Sequence, residues 1–348
     1  MELKSKKWEE FLIGDIFNIN TGALLPKKIL KKGNVPRITA TESNNGVFDY
    51  YAEFKHKNYR TVNNFVSVSF LGSVFYHPYK ASLDMKIHSV QLKKMEFNKY
   101  LAHFIVLALK RTTALFSYGD QLSSSDLPKK KILLPVDKKG EPDFKFMEAF
   151  IKQKEEEKLE RYRDYITQRI NSLKDFKAVK TIEEKKWSEF KISDLFDNKI
   201  GKNIDGNKVN KFKGKTAYIT RKETNNGLDG FINYDGNYLN NEYPVITIGN
   251  ETAEPFVQKN IFFTGTKVNI LKSKNNISEF ALSFITTSLR QHKSKYSYSF
   301  TINSTRLRKQ KILLPVNKKD EPDYEYMENY MKQLEFKKLS EYLNRKTN

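Results

Sequence analysis

The chain has 348 residues, with 62 Lys+Arg against 41 Asp+Glu for a formal net charge of +21, and no cysteine. That length accommodates two domains with cores of their own, and the lack of thiols excludes disulfide frameworks and cysteine-based zinc sites. The positive excess points to a polyanionic partner; a Lys/Asn-rich composition bias is the plain alternative, while 13% aromatic residues argue against a disordered basic chain.

In chain order, the start MELKSKKWEEF lacks the apolar stretch of a signal peptide. Residues 6–17, KKWEEFLIGDIF, open the first domain. Lys27, Lys28, Lys31 and Lys32 precede ITATESNNG (38–46), where Thr39, Thr41, Asn44 and Asn45, with Arg37 just before them, offer the donors that grip phosphates or read base edges. A turn and nothing more is the alternative for Asn44 and Asn45, since Asn-Gly is a strong turn signal. Residues 65–70 (FVSVSF) read as a strand leading to Gly72. Residues 96–111 carry apolar residues at helical spacing, with His103 expected as a satisfied core residue. The apolar run 101–109 is interrupted by His103 and ends at Lys110-Arg111, far short of the roughly 20 residues a membrane span needs. A soluble, cytoplasmic protein without a membrane partner is expected. Arg111, Tyr118 and Gln121 follow as further candidate contacts, and 131–136 (KILLPV) is a strand stopped by proline.

From Asp143 to about Ala178 there is no Gly or Pro, and Pro142 sits where a first helical turn tolerates it. Met147, Ile151, Leu159, Tyr162, Ile166, Ile170 and Leu173 form a narrow stripe on this charged helix. The spacing reads as a coiled-coil seam rather than a globular core face. A lone solvated helix of that length would be only marginally stable. Some 35 residues make a rod of roughly 50 Å.

The chain then repeats itself. KILLPVDKKGEPDF (131–144) and KILLPVNKKDEPDY (311–324) are identical at eleven of fourteen positions, 180 residues apart. KKWSEFKISDLF (185–196) answers 6–17, and ITRKETNNG (219–227) answers 38–46. This is a tandem duplication of a domain-sized unit, not a solenoid. The second copy supplies strands at 245–248 and 267–271, a helix at 278–290, and Met327, Met331, Leu334, Leu339 and Tyr342 on a last helix. Its candidate contacts are Lys202, Lys208, Thr220, Arg221, Lys222, Asn225, Asn226, Lys293, Lys295, Tyr296 and Tyr298. The edges of the two copies match closely, whereas 50–115 and 230–295 share few identities. One scaffold with two specificities explains that contrast; drift of surface loops is the alternative.

No Walker A loop, GxGxxG or nucleophile elbow occurs, and the five histidines fall at no metal-ligand spacing. Pro142-Asp143 followed by Glu156-Glu157-Lys158, and Pro322-Asp323 followed by Glu335-Phe336-Lys337, imitate a metal-dependent nuclease motif. On one helix their carboxylates stand roughly 18–20 Å apart, too far for a shared ion.

Two repeats of W..F.I.DLF, ITATESNNG, SYG, ILLPV and G.PD[YF].[YF]M, each followed by a long charged helix, resemble the specificity subunits of type I restriction–modification systems and the related type IIB subunits. The likeness spans the chain. It implies an α+β protein: two mixed α/β target recognition domains (1–142 and 181–322) separated by a spacer helix (143–180) that pairs in an antiparallel coiled coil with a C-terminal helix (323–348). The last helix is some ten residues shorter than the central one, which leaves open whether the coiled coil is complete within one chain. The resemblance further implies a non-catalytic subunit that binds a bipartite, asymmetric site in double-stranded DNA. It would dock two methyltransferase subunits, with a restriction subunit as a further partner. No cofactor is expected on this chain; the partners would use S-adenosylmethionine, Mg2+ and ATP. A stand-alone metal-dependent nuclease and a non-specific nucleic-acid adaptor are the competing readings.

Overall fold

A computed structural model describes residues 2–117 and 119–347. The chain divides into two compact units, Met1–Tyr162 and Arg163–Asn348. The division falls within one continuous helix, Phe144–Leu173, so each unit owns part of it.

In the first unit, strand Trp8–Leu12 runs antiparallel to Lys131–Pro135. Ile132 and Leu134 point inward and Lys131 and Leu133 outward, the period-2 alternation of a half-buried strand. A four-stranded antiparallel sheet orders Phe17–Thr21, Ile87–Leu92, Phe65–Ser69 and Val74–His77. Helix Lys99–Thr113 starts on Asn98, whose side chain accepts from the Tyr100 and Leu101 N–H groups. Its Leu101, Ile105 and Leu109 are fully buried among Ile13, Val66, Val68 and Val90. Each such side chain contributes about 1.5–3 kcal/mol through burial. His103 is exposed, with its ring edge-on to Tyr76 at 5.9 Å; the expectation of a core histidine is corrected. It lies two residues from both Leu101 and Ile105, and on a helix that spacing points it away from them.

A second sheet orders Val47–Tyr51, Lys32–Ile38, Ala81–Leu83 and Thr61–Val62, with Lys32–Ile38 parallel to Ala81–Leu83. The second unit repeats the plan. Trp187–Lys191 pairs with Lys311–Pro315, and a four-stranded sheet orders Phe196–Ile200, Val268–Ser273, Val245–Gly249 and Pro255–Gln258. Leu228–Ile232, Thr216–Ile219 and Phe262–Thr264 form a three-stranded sheet, and helix Glu279–Arg290 packs over the core. The tandem α+β architecture read from the sequence is the one observed.

The stripe on the long helices divides between two jobs. Met147 and Ile151 pack into the core of the first unit, and Met327 and Met331 into that of the second. Those four belong to globular cores and not to a helix–helix seam. Farther along, Ile166 and Leu173 are buried, and Arg169 forks onto both carboxylate oxygens of Glu335 at 2.6 and 3.1 Å. Lys177 meets Glu325 at 2.6 Å, and the Tyr326 hydroxyl donates to Lys180 O at 3.0 Å. Arg169 near the end of the central helix thus faces Glu335, and the segment 177–180 that follows meets the first turns of helix Tyr324–Thr347 through Glu325, Tyr326, Asn329 and Gln333.

The repeat also supplies an internal control on the buried histidines. His77 is fully buried, stacks on Phe65 and bonds Ser67 Oγ through Nε2 at 2.8 Å. Its register counterpart is Gln258, whose amide donates to Thr247 Oγ1 at 3.0 Å. His88 contacts Leu122 O at 3.3 Å where Asn269 donates to Ile302 O at 3.2 Å. Burial pushes the His77 pKa down to about 4 and lowers that of His88. With folded pKa values below the unfolded value, the unfolded chain takes the protons first as pH falls. Stability is thus intact above pH ~6.5 and erodes toward pH 4, by about 3 kcal/mol for His77 alone. His77→Gln with His88→Asn, the amides of the second copy, is expected to flatten the urea midpoint between pH 7 and 4. An unchanged acid slope would assign that sensitivity to other groups.

Candidate nucleic-acid interface

In both units the strand between two sheet neighbours, Lys32–Ile38 or Thr216–Ile219, runs into a loop closed by Asn-Asn-Gly. Thr39 N–H donates to Gly46 O, and Thr220 N–H to Gly227 O, each at 2.8 Å. Asn44, Asn45 and Gly46 take φ of 49°, 51° and 75°, and Asn225, Asn226 and Gly227 take 53°, 55° and 74°. Three successive left-handed residues need Gly or Asn, which accounts for the repeated motif as a frame. The loop held by that frame differs between the copies: Ala40-Thr41 in the first, Arg221-Lys222 in the second.

Arg37 is placed differently from its sequence reading. It is 2% exposed, pairs with Asp84 at 2.9 Å and donates to Ala23 O at 3.4 Å. At the same register position in the second unit stands Tyr218, also buried, whose hydroxyl donates to Ile204 O at 2.8 Å. Ala23 and Ile204 both lie in the loop leading into this strand. Either side chain satisfies a carbonyl that would otherwise be orphaned. Arg37 is a brace for the loop and not a surface contact.

Arg221 and Lys222 line a cleft of 440 Å³ together with Lys211, Asp229, Glu251 and Thr220. Arg221 pairs with Glu251, and Asp229 is shared by Lys211 at 2.7 Å and by Lys222. Burial would raise the Asp229 carboxyl, yet the hydrogen bonds from Lys211 and Lys222 hold it below its ordinary value. The carboxylates position the cations and partly neutralise them before any polyanion arrives. Lys211 belongs to the lysines that precede the second motif in the sequence; Asp229 and Glu251 were missed because they come from separate segments with no shared motif.

The remaining candidates scatter. Asn225 and Asn226 line a separate concavity of 580 Å³ that also holds Gln258 and Arg290. Lys293 is bound to Glu223 and Glu254, both at 2.9 Å, and Arg290 pairs with the same buried Glu254. Burial alone would raise Glu254, but Lys293 and Arg290 keep it low. Lys295 meets His292, Tyr296 donates to Gln310 at 2.7 Å, and Tyr298 is 85% exposed. Lys202 donates to Asn237 O, and Lys208 is exposed. In the first unit Lys27 and Lys28 are exposed on a short turn, with Lys27 5.6 Å above the Phe48 ring. Thr39 and Thr41 are half-buried, and Thr41 Oγ1 lies 3.1 Å from Ser43 Oγ. Asn44 donates to Val47 O at 3.2 Å, and Asn45 is exposed. Arg111 is exposed at the end of its helix, Gln121 is half-buried, and Tyr118 lies outside the described residues.

Asp143, Asp323 and Glu335 of the nuclease-like pattern are engaged elsewhere. Asp143 bonds Lys6 at 2.6 Å and caps Phe146 N–H, while Asp323 bonds Lys185 at 2.7 Å and caps Tyr326 N–H. Glu335 is held by Arg169. Among the described residues no group of three His, Asp or Glu side chains could hold a metal ion. Among them, too, no helix is long and apolar enough to cross a membrane.

The family model for the type I restriction modification DNA specificity domain matches the chain twice, over residues 5–161 and 184–344. A type II restriction enzyme BgcI specificity subunit from Heyndrickxia coagulans is 51% identical over 150 residues, a match spanning 43% of this chain and 44% of that relative's length. The crystal structure of a type I restriction-modification S subunit from M. genitalium aligns over 99% of this chain and 94% of its own, with 17% identity and a TM-score of 0.56. The two share a fold.

Proposed function

The chain belongs to the family of type I restriction modification DNA specificity domains, which it carries twice, and from that premise we propose that it reads a two-part, asymmetric target in double-stranded DNA for catalytic partner subunits. Its own role is recognition. Methyltransferase subunits, two in number, and a restriction subunit act on the DNA it selects. They bring S-adenosylmethionine, Mg2+ and ATP, and this chain contributes no cofactor.

One observation carries the reading. An identical frame, from strand to Asn-Asn-Gly turn, presents Ala40-Thr41 in one unit and Arg221-Lys222 in the other. A loop with two cations and a loop with none offer DNA different donors, so the half-sites they read differ. The formal charge of +21 supplies the sequence-independent attraction on which such reading rests.

The test is selection from a random-sequence duplex library by the full-length chain at fixed salt. The expected product is two dissimilar blocks of fixed sequence flanking an unread spacer, bound at least 10³-fold more tightly than competitor DNA. A palindromic motif would refute the asymmetry. Retention without enrichment would leave only a non-specific adaptor.

A further inference from the structure

The loop between Phe196–Ile200 and Thr216–Ile219 ends in Lys211-Phe212-Lys213, and Phe212 is 95% exposed. An aromatic ring in water is an unspent binding surface, and here the backbone beneath it is fixed. Phe212 N–H donates to Asn210 Oδ1 at 2.9 Å. The Lys211 carbonyl accepts from Phe231 N–H at 2.9 Å, and Gly214 N–H donates back to Phe231 O at 3.0 Å. Lys211 is tied to Asp229 at 2.7 Å. Gly230, at φ +149°, admits this close approach: a Cβ there would lie 2.4 Å from Lys211 O. The tip is thus clamped to the neighbouring strand while its ring projects.

Charge at the tip identifies the occupant. Lys208, Lys213 and Lys215 are exposed in the same segment, and Lys211 lines the cleft that holds Arg221 and Lys222. A ring offered to an apolar protein surface would not stand in a run of lysines, whereas a base step lies between phosphates. The equivalent loop of the first unit also projects an apolar side chain, Leu24, 62% exposed and followed by the exposed Lys27 and Lys28. Phe and Leu are among the side chains that wedge into base steps.

We propose that Phe212 inserts at a base step of the DNA bound by the second unit, stacking on an unstacked base while the lysines beside it hold the flanking phosphates. This rests on the reading of that unit as a DNA reader. Stacking of one base on an aromatic ring is lost when the ring is removed, with binding weakened about 10-fold. No charge is lost in Phe212→Ala, so the dependence of affinity on salt stays as it was, whereas Lys213→Ala lowers that slope by about one.

The experiment uses the full-length chain and the duplex it selects from a random library, with 2-aminopurine placed in turn along the second half-site. Expected are a fluorescence rise at one position with the wild type, its loss with Phe212→Ala, and weakening of about 10-fold. Phe212→Trp should retain affinity, with its new indole emission quenched on binding. The site is exposed, so the melting temperature of each variant should match the wild type. A duplex bound equally by wild type and Phe212→Ala, with the same fluorescence, overturns the wedge alone. A Phe212→Ala chain that binds DNA normally but loses a methyltransferase subunit overturns it in favour of a protein contact. Failure of the wild type to select any duplex overturns the DNA reading beneath it.

Discussion

Arg221→Ala combined with Lys222→Thr, which installs the side chains found at the matching positions of the first unit, is expected to weaken binding of the selected duplex about 100-fold at physiological salt. Two effects add. A bidentate arginine on a guanine edge is worth about 1–3 kcal/mol of discrimination, and a lysine lost from a phosphate removes about one unit of salt slope. Glu251 and Asp229 strengthen the result, because the double variant leaves them beside the DNA without Arg221 and Lys222. Asp229 retains Lys211, while Glu251 would face the phosphates as a bare anion. The informative readout is where specificity is lost. Relaxed preference within the second block, with the first block intact, assigns base reading to Arg221. Equal weakening on every sequence reassigns both cations to phosphate contacts, and unchanged affinity removes the cleft from the interface.

Much of this architecture is legible in the sequence, for a physical reason. The duplicated edges, KKW…DLF and KILLPV…EPD, are where strand pairing, the proline stop and the helix start coincide. Each of these constrains residue type locally, so each repeats in recognisable form. The loop cations of the second unit were legible too, since Arg221-Lys222 stands inside a matched motif. Arg37 misled because a strand pattern gives the facing of a residue but not what covers that face. Its partner in the repeat was the available signal. A position that alternates between Arg37 and Tyr218 selects a long side chain with a donor at its end, which suits a buried carbonyl better than a phosphate.

The seam on the long helices misled differently. Met147 and Met327 fall on the correct stripe, but the first two turns of each helix are already inside a globular core, and periodicity does not distinguish one buried neighbour from another. Phe212 and the acids of the cleft were out of reach altogether. Glu251 lies in the divergent segment 230–295, Phe212 and Asp229 lie on either side of the matched ITRKETNNG, and none of the three falls at a position where the copies vouch for each other. Frame was therefore more readable than reader, as expected when one is shared between the copies and the other is free to vary.

The strongest stability effect should come from the joint where the last strand of each unit turns into its helix. Asp323 is about one-fifth exposed, as is Lys185, 2.7 Å away. The carboxylate caps the first helical turn at Tyr326 N–H, and the Lys185 ammonium sits 4.6 Å above the Tyr326 ring. Asp323→Ala removes a helix cap worth about 1 kcal/mol and strands a half-buried ammonium. A fully buried broken pair costs about 3–5 kcal/mol, and partial exposure keeps this one at the lower end or below. A loss of about 3 kcal/mol in the second unit is expected from urea unfolding. Asp323→Asn keeps a good cap without the charge and should lose only about half as much. The first unit offers the same joint in Lys6 and Asp143, at 2.6 Å, with a pH signature. Burial would raise the Asp143 carboxyl, but bonds from Lys6 and the Phe146 N–H hold it below its ordinary value. A lowered folded pKa means that this contribution is full above the unfolded value of about 3.9 and disappears as pH falls through the folded one. Asp143→Asn should therefore cost stability at pH 7 and progressively less as pH falls below about 3.9. If both aspartates could be replaced by alanine without loss, the helices would be anchored by Met147 and Met327 alone, and the repeated EPD would have no mechanical role.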